Sequence, residues 1–320
     1  MKKIAFIFPG QGSQVVGMGL ELYKNHSKAK EIFEAVDEAL NQKLSKIIFY
    51  GDEEQLKLTS NTQPALMAVS MALVRVLEKE LGKKLVDFAE IVLGHSLGEY
   101  TSLCSIDSLD ISSTAKLLRI RGDSMQNSVK NIDTRMVAVI GLELEIIEKL
   151  INKFNEEEDF LCEIANDNCP GQIILSGFKK SIDKFSEILS SSGARSIIDL
   201  QVSAPFHCSL MKPSADVMFE ALQNINIKKP KIKFINNVSA EFIYEPDEIK
   251  KKLIEQVYKR VRWRESIIKV SKSKIDKIIE IGSGKVLTGL NRRMKINQEF
   301  FNLTTTSDIE NFIMSHGENL

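Results

Sequence analysis

The sequence predicts an α/β protein built on a parallel sheet, and two observations lead to that prediction. Short apolar runs at Ile4–Phe8 and Ile91–Leu93 each end in a turn signal, which is typical of buried strands. Stretches with helical apolar spacing at Lys28–Leu40 and Pro64–Leu81 lie between them. Strands that alternate with helices at this spacing favour parallel strands joined by helical crossovers.

Each of these elements has a local reason. Pro9 and Gly10 follow the first apolar run, and both residues interrupt strands. Between residues 28 and 40 the apolar residues recur every three or four positions, so that one face of a helix can be buried. Pro64 predicts the first turn of the next helix and Gly82 predicts its end. Gly94 is expected to end the second strand.

The middle of the chain follows a different order. A pattern β-α-β-β-α-β over about 70 residues is typical of a ferredoxin-like unit. Its strands are expected at Met136–Ile140, Leu161–Ala165, Gln172–Ser176 and Ala194–Leu200, and its helices at Glu143–Phe154 and Lys180–Ser191. We therefore expect a large α/β domain formed by residues 1–130 and 201–320, with a ferredoxin-like small domain of residues 131–200 inserted into it.

The composition predicts a soluble globular protein of the cytoplasm. The 43 basic residues balance the 43 acidic ones, which argues against a nucleic-acid partner and against a charged disordered tail. The first apolar run is shorter than the roughly 7–15 residues of a signal peptide, and no stretch approaches the roughly 18 of a membrane span, so no membrane insertion is expected. The cysteines form no CxxC pair and are expected to be reduced thiols: Cys104, Cys162, Cys169 and Cys208.

The sharpest motif is GHSLG at residues 94–98, which has the form GxSxG. It follows an apolar strand and precedes a helix expected from Leu97 onward, which is the context of a nucleophile elbow. In such a turn a Cβ atom at either glycine would collide with backbone, and the Ser96 hydroxyl is raised above the sheet near a helix N-terminus. The large domain is therefore expected to be hydrolase-like. The alternative is a glycine-rich turn with an incidental serine.

A serine nucleophile needs a base, and the chain has four histidines. His26 and His316 lie in polar stretches and are expected to be solvated. His95 is adjacent to Ser96, and neighbouring side chains around a tight turn point apart. His207 remains as the candidate base, although no Asp or Glu between it and Ser96 can be identified as a third member of a triad. A packed loop histidine is the alternative.

Several motifs in register resemble one family, the malonyl-CoA:acyl-carrier-protein transacylases of bacterial fatty-acid synthesis. The resemblance runs from about residue 3 to residue 295 and is more specific than GxSxG alone. The motifs are FPGQGSQ at 8–14, GHSLGEY at 94–100, RIRG at 119–122, NCPGQ at 168–172 and GKVLTGL at 284–290.

The resemblance implies a ping-pong reaction through a malonyl-serine. Ser96 would attack the thioester, and His207 would act as base and then as acid. The main-chain carbonyl of Gln256 would orient the histidine, which accounts for the missing carboxylate. The backbone N–H groups of Gln11 and Leu97 would form the oxyanion hole.

The resemblance also implies the substrate. Arg121 would bind the free malonyl carboxylate with two parallel hydrogen bonds, although by position alone it is an ordinary helix-surface arginine. Gln63 would line the site, and Phe206 resembles the bulky residue associated with unsubstituted malonyl units. The partners implied are malonyl-CoA and acyl carrier protein, without a metal or redox cofactor, and we expect a monomer. A serine esterase or thioesterase on the same elbow, or an inactive scaffold, are the other hypotheses.

Four residues depart from the family pattern: Ser283, Cys169, Asp107 and Arg135. Asp107 stands where a turn glycine is common, and aspartate tolerates left-handed geometry better than most residues. The charge is also unevenly distributed. Residues 225–297 contain 19 basic and 8 acidic residues, and the rest of the chain carries a net charge of −11. We expect this basic segment either to be solvated helix faces or to attract CoA phosphates and an acidic carrier protein.

Overall fold

The computed structural model describes residues 3–157 and 161–317, and within these ranges the chain forms two separate sheets. The strands are β1 (Ile4–Phe8), β2 (Ala89–Gly94), β3 (Thr134–Ile140), β4 (Cys162–Cys169), β5 (Gln172–Phe178), β6 (Ser196–Asp199), β7 (Lys233–Phe234), β8 (Lys277–Ile281) and β9 (Glu299–Leu303). The helices are α1 (Leu20–Asn25), α2 (Ser27–Leu40), α3 (Leu44–Tyr50), α4 (Glu53–Lys57), α5 (Thr59–Leu81), α6 (Gly98–Ser105), α7 (Ile111–Asn127), α8 (Leu144–Glu157), α9 (Lys179–Ser191), α10 (Lys212–Gln223), α11 (Pro246–Gln256), α12 (Trp263–Lys272), α13 (Val286–Arg292) and α14 (Thr306–His316).

The larger sheet is parallel, which confirms the predicted fold class. Its strand order is β7-β2-β1-β8-β9, and each pair of neighbours is parallel. Successive side chains of β1 point to opposite faces: Phe6 and Phe8 pack with the helices α2, α5 and α7, whereas Ala5 and Ile7 pack with α12 and α13. Helices therefore cover both faces, which is why the strands are apolar along their whole length.

The smaller sheet has the predicted ferredoxin-like order. Its strands follow β4-β5-β3-β6 with every neighbouring pair antiparallel, and α8 and α9 pack on one face. On the other face, Met136, Ala138 and Ile174 belong to the same apolar cluster as the core of the larger sheet. The two sheets are thus joined by a shared apolar core.

One helix boundary was predicted wrongly. Helix α5 begins at Thr59, and Pro64 lies inside it rather than in its first turn. The extra turn is closed by the N–H groups of Asn61 and Thr62, which donate to the carbonyl of Leu58 at 2.8 Å. The Thr62 hydroxyl makes a further bond to the carbonyl of Leu56 at 2.5 Å. A proline near a helix start removes few backbone bonds, so polar residues can extend the helix before it.

Across the described ranges, no helix combines the length and hydropathy needed to cross a bilayer. The cysteines are free thiols, as predicted, and all of them are buried: Cys104, Cys162, Cys169 and Cys208.

Candidate active site

Ser96 lies on the predicted sharp turn between β2 and α6. Its backbone has a φ of 53°, in the left-handed region that a serine rarely adopts. A Cβ atom at Gly94 would collide with the carbonyl group of Gly98, and one at Gly98 would collide with the carbonyl of Phe8. Both glycines are therefore required by close backbone approach. A strained serine held in this way presents its hydroxyl at the carboxyl edge of the sheet.

His207 is brought to Ser96 from 111 residues further along the chain. Its Nε2 lies 2.9 Å from the Ser96 Oγ, and its Nδ1 lies 2.7 Å from the main-chain carbonyl of Gln256. Because a carbonyl only accepts, Nδ1 carries the proton in the neutral ring and Nε2 is left to accept one from the serine. The position predicted for Gln256 and the contact predicted between Ser96 and His207 are both present.

The charge state of His207 follows from its surroundings. The ring is buried, and burial, with a smaller contribution from the positive charge of Arg121, lowers its pKa to about 3. The imidazole is consequently neutral at pH 7, which is the form able to take a proton.

Arg121 is buried rather than on the helix surface, with 1% of its side chain exposed. Its Nη1 donates to Gln63 Oε1 at 2.7 Å, and its Nη2 donates to Gln256 Oε1 at 2.8 Å and to Ser96 Oγ at 3.1 Å. The Nε group has no hydrogen-bond partner within the described residues. The groups that accept hydrogen bonds from Arg121 are thus all neutral. The guanidinium therefore still has N–H donors and an uncompensated positive charge that can bind an anion beside the serine.

A cavity of about 360 Å³ opens at this point. It is lined by nearly all of the side chains expected at the site: Gln11, Gln63, Ser96, Leu97, Arg121, Phe206 and His207. Gln256 lies behind them and reaches the site through its carbonyl and its amide. Met136, Asn166 and Leu200 line the same cavity from the smaller sheet and the end of its last strand. The cavity therefore lies at the junction of the two sheets.

Asn237 is a residue of the site that the sequence reasoning missed. Its Oδ1 accepts from the N–H of Ser96 at 2.7 Å, and its Nδ2 donates to the carbonyl of Gly94 at 2.7 Å. It follows β7, the neighbour of β2, and the carboxyl ends of parallel strands meet at one edge. An asparagine just past an apolar strand was the available signal. Its side chain holds both sides of the strained turn.

The other histidines do not contact the Ser96 hydroxyl. His95 Nε2 lies 2.9 Å from Asn168 Oδ1, as expected for a side chain that points away from the serine. Contrary to expectation, His26 and His316 are not simply solvated: both are half-buried. His26 bonds to the hydroxyl of Thr306, and His316 stacks on Phe312. Each has a structural partner far from the elbow in the sequence.

The four departures from the family pattern are accommodated locally. Asp107 has the left-handed φ of 57° expected for a glycine position, and the Ser283 hydroxyl donates to the carbonyl of Ser13 at 2.7 Å. Cys169 is buried in an apolar cluster. Arg135 forms ion pairs with two aspartates, Asp183 and Asp199. Within the described residues, no group of three or more His, Cys, Asp and Glu side chains is placed to hold a metal ion.

The parallel sheet, the strained serine and its histidine define the chain as an α/β enzyme of the nucleophile-elbow class. The acyl transferase domain family matches residues 5–294. The chain belongs to this family, and within it to the malonyl-CoA:acyl carrier protein transacylases.

Similar proteins carry that name. The malonyl CoA-acyl carrier protein transacylase of Bacillus subtilis is 44% identical over 299 residues, which is 92% of each chain. The crystal structure of an acyl-carrier-protein S-malonyltransferase from Bartonella henselae is 45% identical and superposes with a TM-score of 0.93, covering 98% of this chain and 99% of that one. A malonyl-transacylase in complex with a type II PKS acyl-carrier protein has 31% identity and a TM-score of 0.93, with 98% and 100% covered.

Proposed function

We propose that this chain transfers the malonyl group of malonyl-CoA to the phosphopantetheine thiol of acyl carrier protein, in fatty-acid synthesis. The reaction is ping-pong and passes through a malonyl-serine at Ser96. The observation that carries the proposal is the contact between three functional groups: the Ser96 hydroxyl lies within 3.1 Å of both the His207 imidazole and the Arg121 guanidinium. Nucleophile, base and a binding group for a free carboxylate thus share one cavity.

The first half-reaction acylates the serine. His207 Nε2 takes the hydroxyl proton as the Ser96 Oγ attacks the thioester carbonyl. The backbone N–H groups of Gln11 and Leu97 stabilise the resulting oxyanion, which is supported by the position of both residues on the cavity wall. When the C–S bond breaks, the imidazolium returns its proton to the CoA thiolate, which leaves as the thiol.

The second half-reaction reverses these steps with a different thiol. The pantetheine S–H gives its proton to His207, and the sulfur attacks the ester carbonyl. The Ser96 Oγ then leaves and recovers the proton. One thioester is exchanged for another without net oxidation, so the reaction needs no redox cofactor.

Selection of the acyl group is assigned to the residues around Arg121. The malonyl carboxylate replaces neutral amide oxygens as the acceptor of the guanidinium, since a carboxylate forms stronger, charge-assisted bonds. Gln63 and Gln256 hold the guanidinium before substrate arrives. Phe206, 8% exposed on the cavity wall, limits the space beside the acyl group and favours unsubstituted malonyl units.

We also keep the division into a large domain of residues 1–130 and 201–320 and a small domain of residues 131–200. The apolar cluster beneath the smaller sheet, whose members all lie between Val137 and Ile197, supports it. The buried, free cysteines support a cytoplasmic location. We propose that the enzyme acts as a monomer.

Intact-protein mass spectrometry tests the proposed function. Incubation with malonyl-CoA is expected to add one malonyl group, and holo-acyl carrier protein is expected to discharge it much faster than water does. Apo-carrier protein, which lacks the pantetheine thiol, is the matched control and should leave the adduct in place. Rapid hydrolysis that is independent of the carrier would instead support the thioesterase alternative, which the names of the relatives do not favour.

The basic segment of residues 225–297 is proposed to attract the acidic carrier protein and the phosphates of CoA. Some of its charge is paired internally, as in Lys229–Glu245 and Lys252–Glu255. Lys285 is exposed just beyond the carboxyl end of β8, at the sheet edge that also presents Ser96. A cation there can attract an acidic partner toward the cavity.

Raising the ionic strength is expected to raise the KM for carrier protein, because salt screens attraction between exposed charges. Lys285→Glu is expected to raise that KM by roughly three- to tenfold at low salt, with kcat little changed. Lys46→Glu on α3, an exposed lysine outside the basic segment, is the control. A carrier-protein KM that responds to neither salt nor Lys285→Glu would contradict the assignment.

A further inference from the structure

Glu99 is a buried carboxyl group that the proposed chemistry does not use. It lies in the first turn of α6, three residues after Ser96, with 0% of its side chain exposed. Its Oε2 accepts from Gln256 Nε2 at 2.6 Å and from the N–H of Asn237 at 3.1 Å. Its Oε1 has no hydrogen-bond partner among the described residues. The group is thus bonded on one side only, directly behind the site.

Glu99 determines the orientation of the Gln256 amide. The amide Nε2 donates to Glu99 and to the carbonyl of Ser96 at 2.9 Å, while the Oε1 accepts from Arg121 at 2.8 Å. A flipped amide would place its NH₂ group against the guanidinium and its oxygen against two acceptors. The bond from Gln256 to Glu99 therefore keeps an acceptor in front of Arg121.

The surroundings of Glu99 favour its uncharged form. Among the described elements that pack on α6, the charged group that interacts with Glu99 is Arg121 of α7. The Arg121 guanidinium donates its hydrogen bond to Gln256 and not to the Glu99 carboxyl. Tyr100, the adjacent residue in α6, interacts with Glu99 and lies against the guanidinium. An isolated carboxylate at such a depth is costly. Burial raises the pKa of Glu99 to about 8, although the bonds from Gln256 and Asn237 and the Arg121 charge all lower it.

We propose that Glu99 is a positioning residue of the malonyl site, which fixes the Gln256 amide through a buried hydrogen bond and leaves the charge of Arg121 available to the substrate carboxylate. The proposal rests on the proposed function, because it requires Arg121 to bind a carboxylate. An ionised Glu99 would place a negative charge behind the Arg121 guanidinium, in addition to that of the substrate carboxylate. This charge would weaken the electrostatic attraction between Arg121 and the substrate.

The preference for malonyl over acetyl is therefore expected to fall as the pH rises through 8. Ionisation is about nine-tenths complete one pH unit above a pKa, so the ratio of kcat/KM for malonyl-CoA to that for acetyl-CoA should fall by up to about tenfold between pH 7 and pH 9. Arginine stays charged in this range, and burial raises the pKa of Tyr100 further from it. Acetyl-CoA reports any effect of pH on Ser96, His207 or the CoA moiety, and the ratio cancels it.

Glu99→Gln is the decisive variant because glutamine keeps the acceptor oxygen and cannot ionise. Its ratio at pH 7 is expected to lie within about threefold of wild type and to stay constant up to pH 9. Glu280→Gln, which alters a buried carboxyl outside the site, is the control and should retain the wild-type fall in the ratio. Acylation is measured as CoA release and as the mass of the adduct.

Three results would overturn the proposal: a wild-type ratio that does not change between pH 7 and pH 9, a Glu99→Gln ratio that falls in parallel, or a Glu99→Gln preference already lost at pH 7. The first needs no variant, so it stands even if Glu99→Gln does not fold. Wild-type protein that fails to form a malonyl adduct at pH 7 would overturn the proposed function. A malonyl preference that is present but independent of pH would overturn the role of Glu99 alone.

Discussion

Ser96→Ala is expected to abolish the malonyl adduct and to lower kcat/KM for malonyl transfer by a factor on the order of 10⁴ to 10⁶. The variant removes the atom proposed to form the ester, while the cavity and Arg121 remain. Alanine at this position also keeps the Cβ that the left-handed backbone already carries, so the fold should be retained. The adduct is measured by intact-protein mass spectrometry and the rate by transfer to carrier protein.

The control for this prediction is Ser203→Ala, which removes a hydroxyl that bonds to Thr59 at 3.0 Å. It should form the adduct at the wild-type mass. Because Ser96 and His207 are proposed to act as one unit, the double variant Ser96→Ala/His207→Ala is expected to be no slower than Ser96→Ala alone. A malonyl adduct on Ser96→Ala would show that another side chain carries the acyl group.

The elbow could be predicted from sequence because its causes are local. A strand, two glycines and a helix lie together between Ala89 and Ser105, and the glycines are required by close backbone contacts that any side chain would block. The ferredoxin-like order was readable for the same reason, since alternating and helical periods follow one another along the chain. The start of α5 could not be predicted from the apolar pattern, because the turn before Pro64 depends on hydrogen bonds of polar side chains.

The environment of Arg121 could not be read from its own segment. Its burial arises because α5, α7 and α11 bring Gln63 and Gln256 to it from 58 and 135 residues away. The same is true of Asn237, whose partners Gly94 and Ser96 lie on another strand end. Periodicity reports which face of a helix is apolar, and it does not report a polar group buried by distant residues. Resemblance to a family supplied Arg121. It included Glu99 in the GHSLGEY motif without a role for it, and it did not include Asn237.

Arg121→Ala is expected to lower the ratio of kcat/KM for malonyl-CoA to that for acetyl-CoA by about a hundredfold or more. In the proposed mechanism, malonyl gives the buried guanidinium of the wild type an anionic partner, whereas acetyl leaves the charge without one. Leaving the buried guanidinium without an anionic partner costs roughly 3 kcal/mol or more. Removing the cation removes the difference. Initial rates of CoA release with the two thioesters measure the ratio.

Two arginine variants sharpen the comparison. Arg121→Lys keeps a positive charge and loses the planar pair of donors, so its ratio should lie between wild type and Arg121→Ala. Arg119→Ala is the matched control, because Arg119 lies on the same helix and bonds to Asn61 and Gln42 instead of to the serine. Its ratio should equal that of the wild type.

The ratio is the informative quantity because Arg121 has a second role. Its Nη2 also donates to the Ser96 Oγ at 3.1 Å, so the alanine variant is expected to slow acylation by either thioester. That loss is common to malonyl and acetyl and cancels, whereas a lost carboxylate contact affects malonyl alone. If both rates fell and the ratio stayed constant, Arg121 would act on the serine only. Recognition of the carboxylate would then have to come from another group in the cavity.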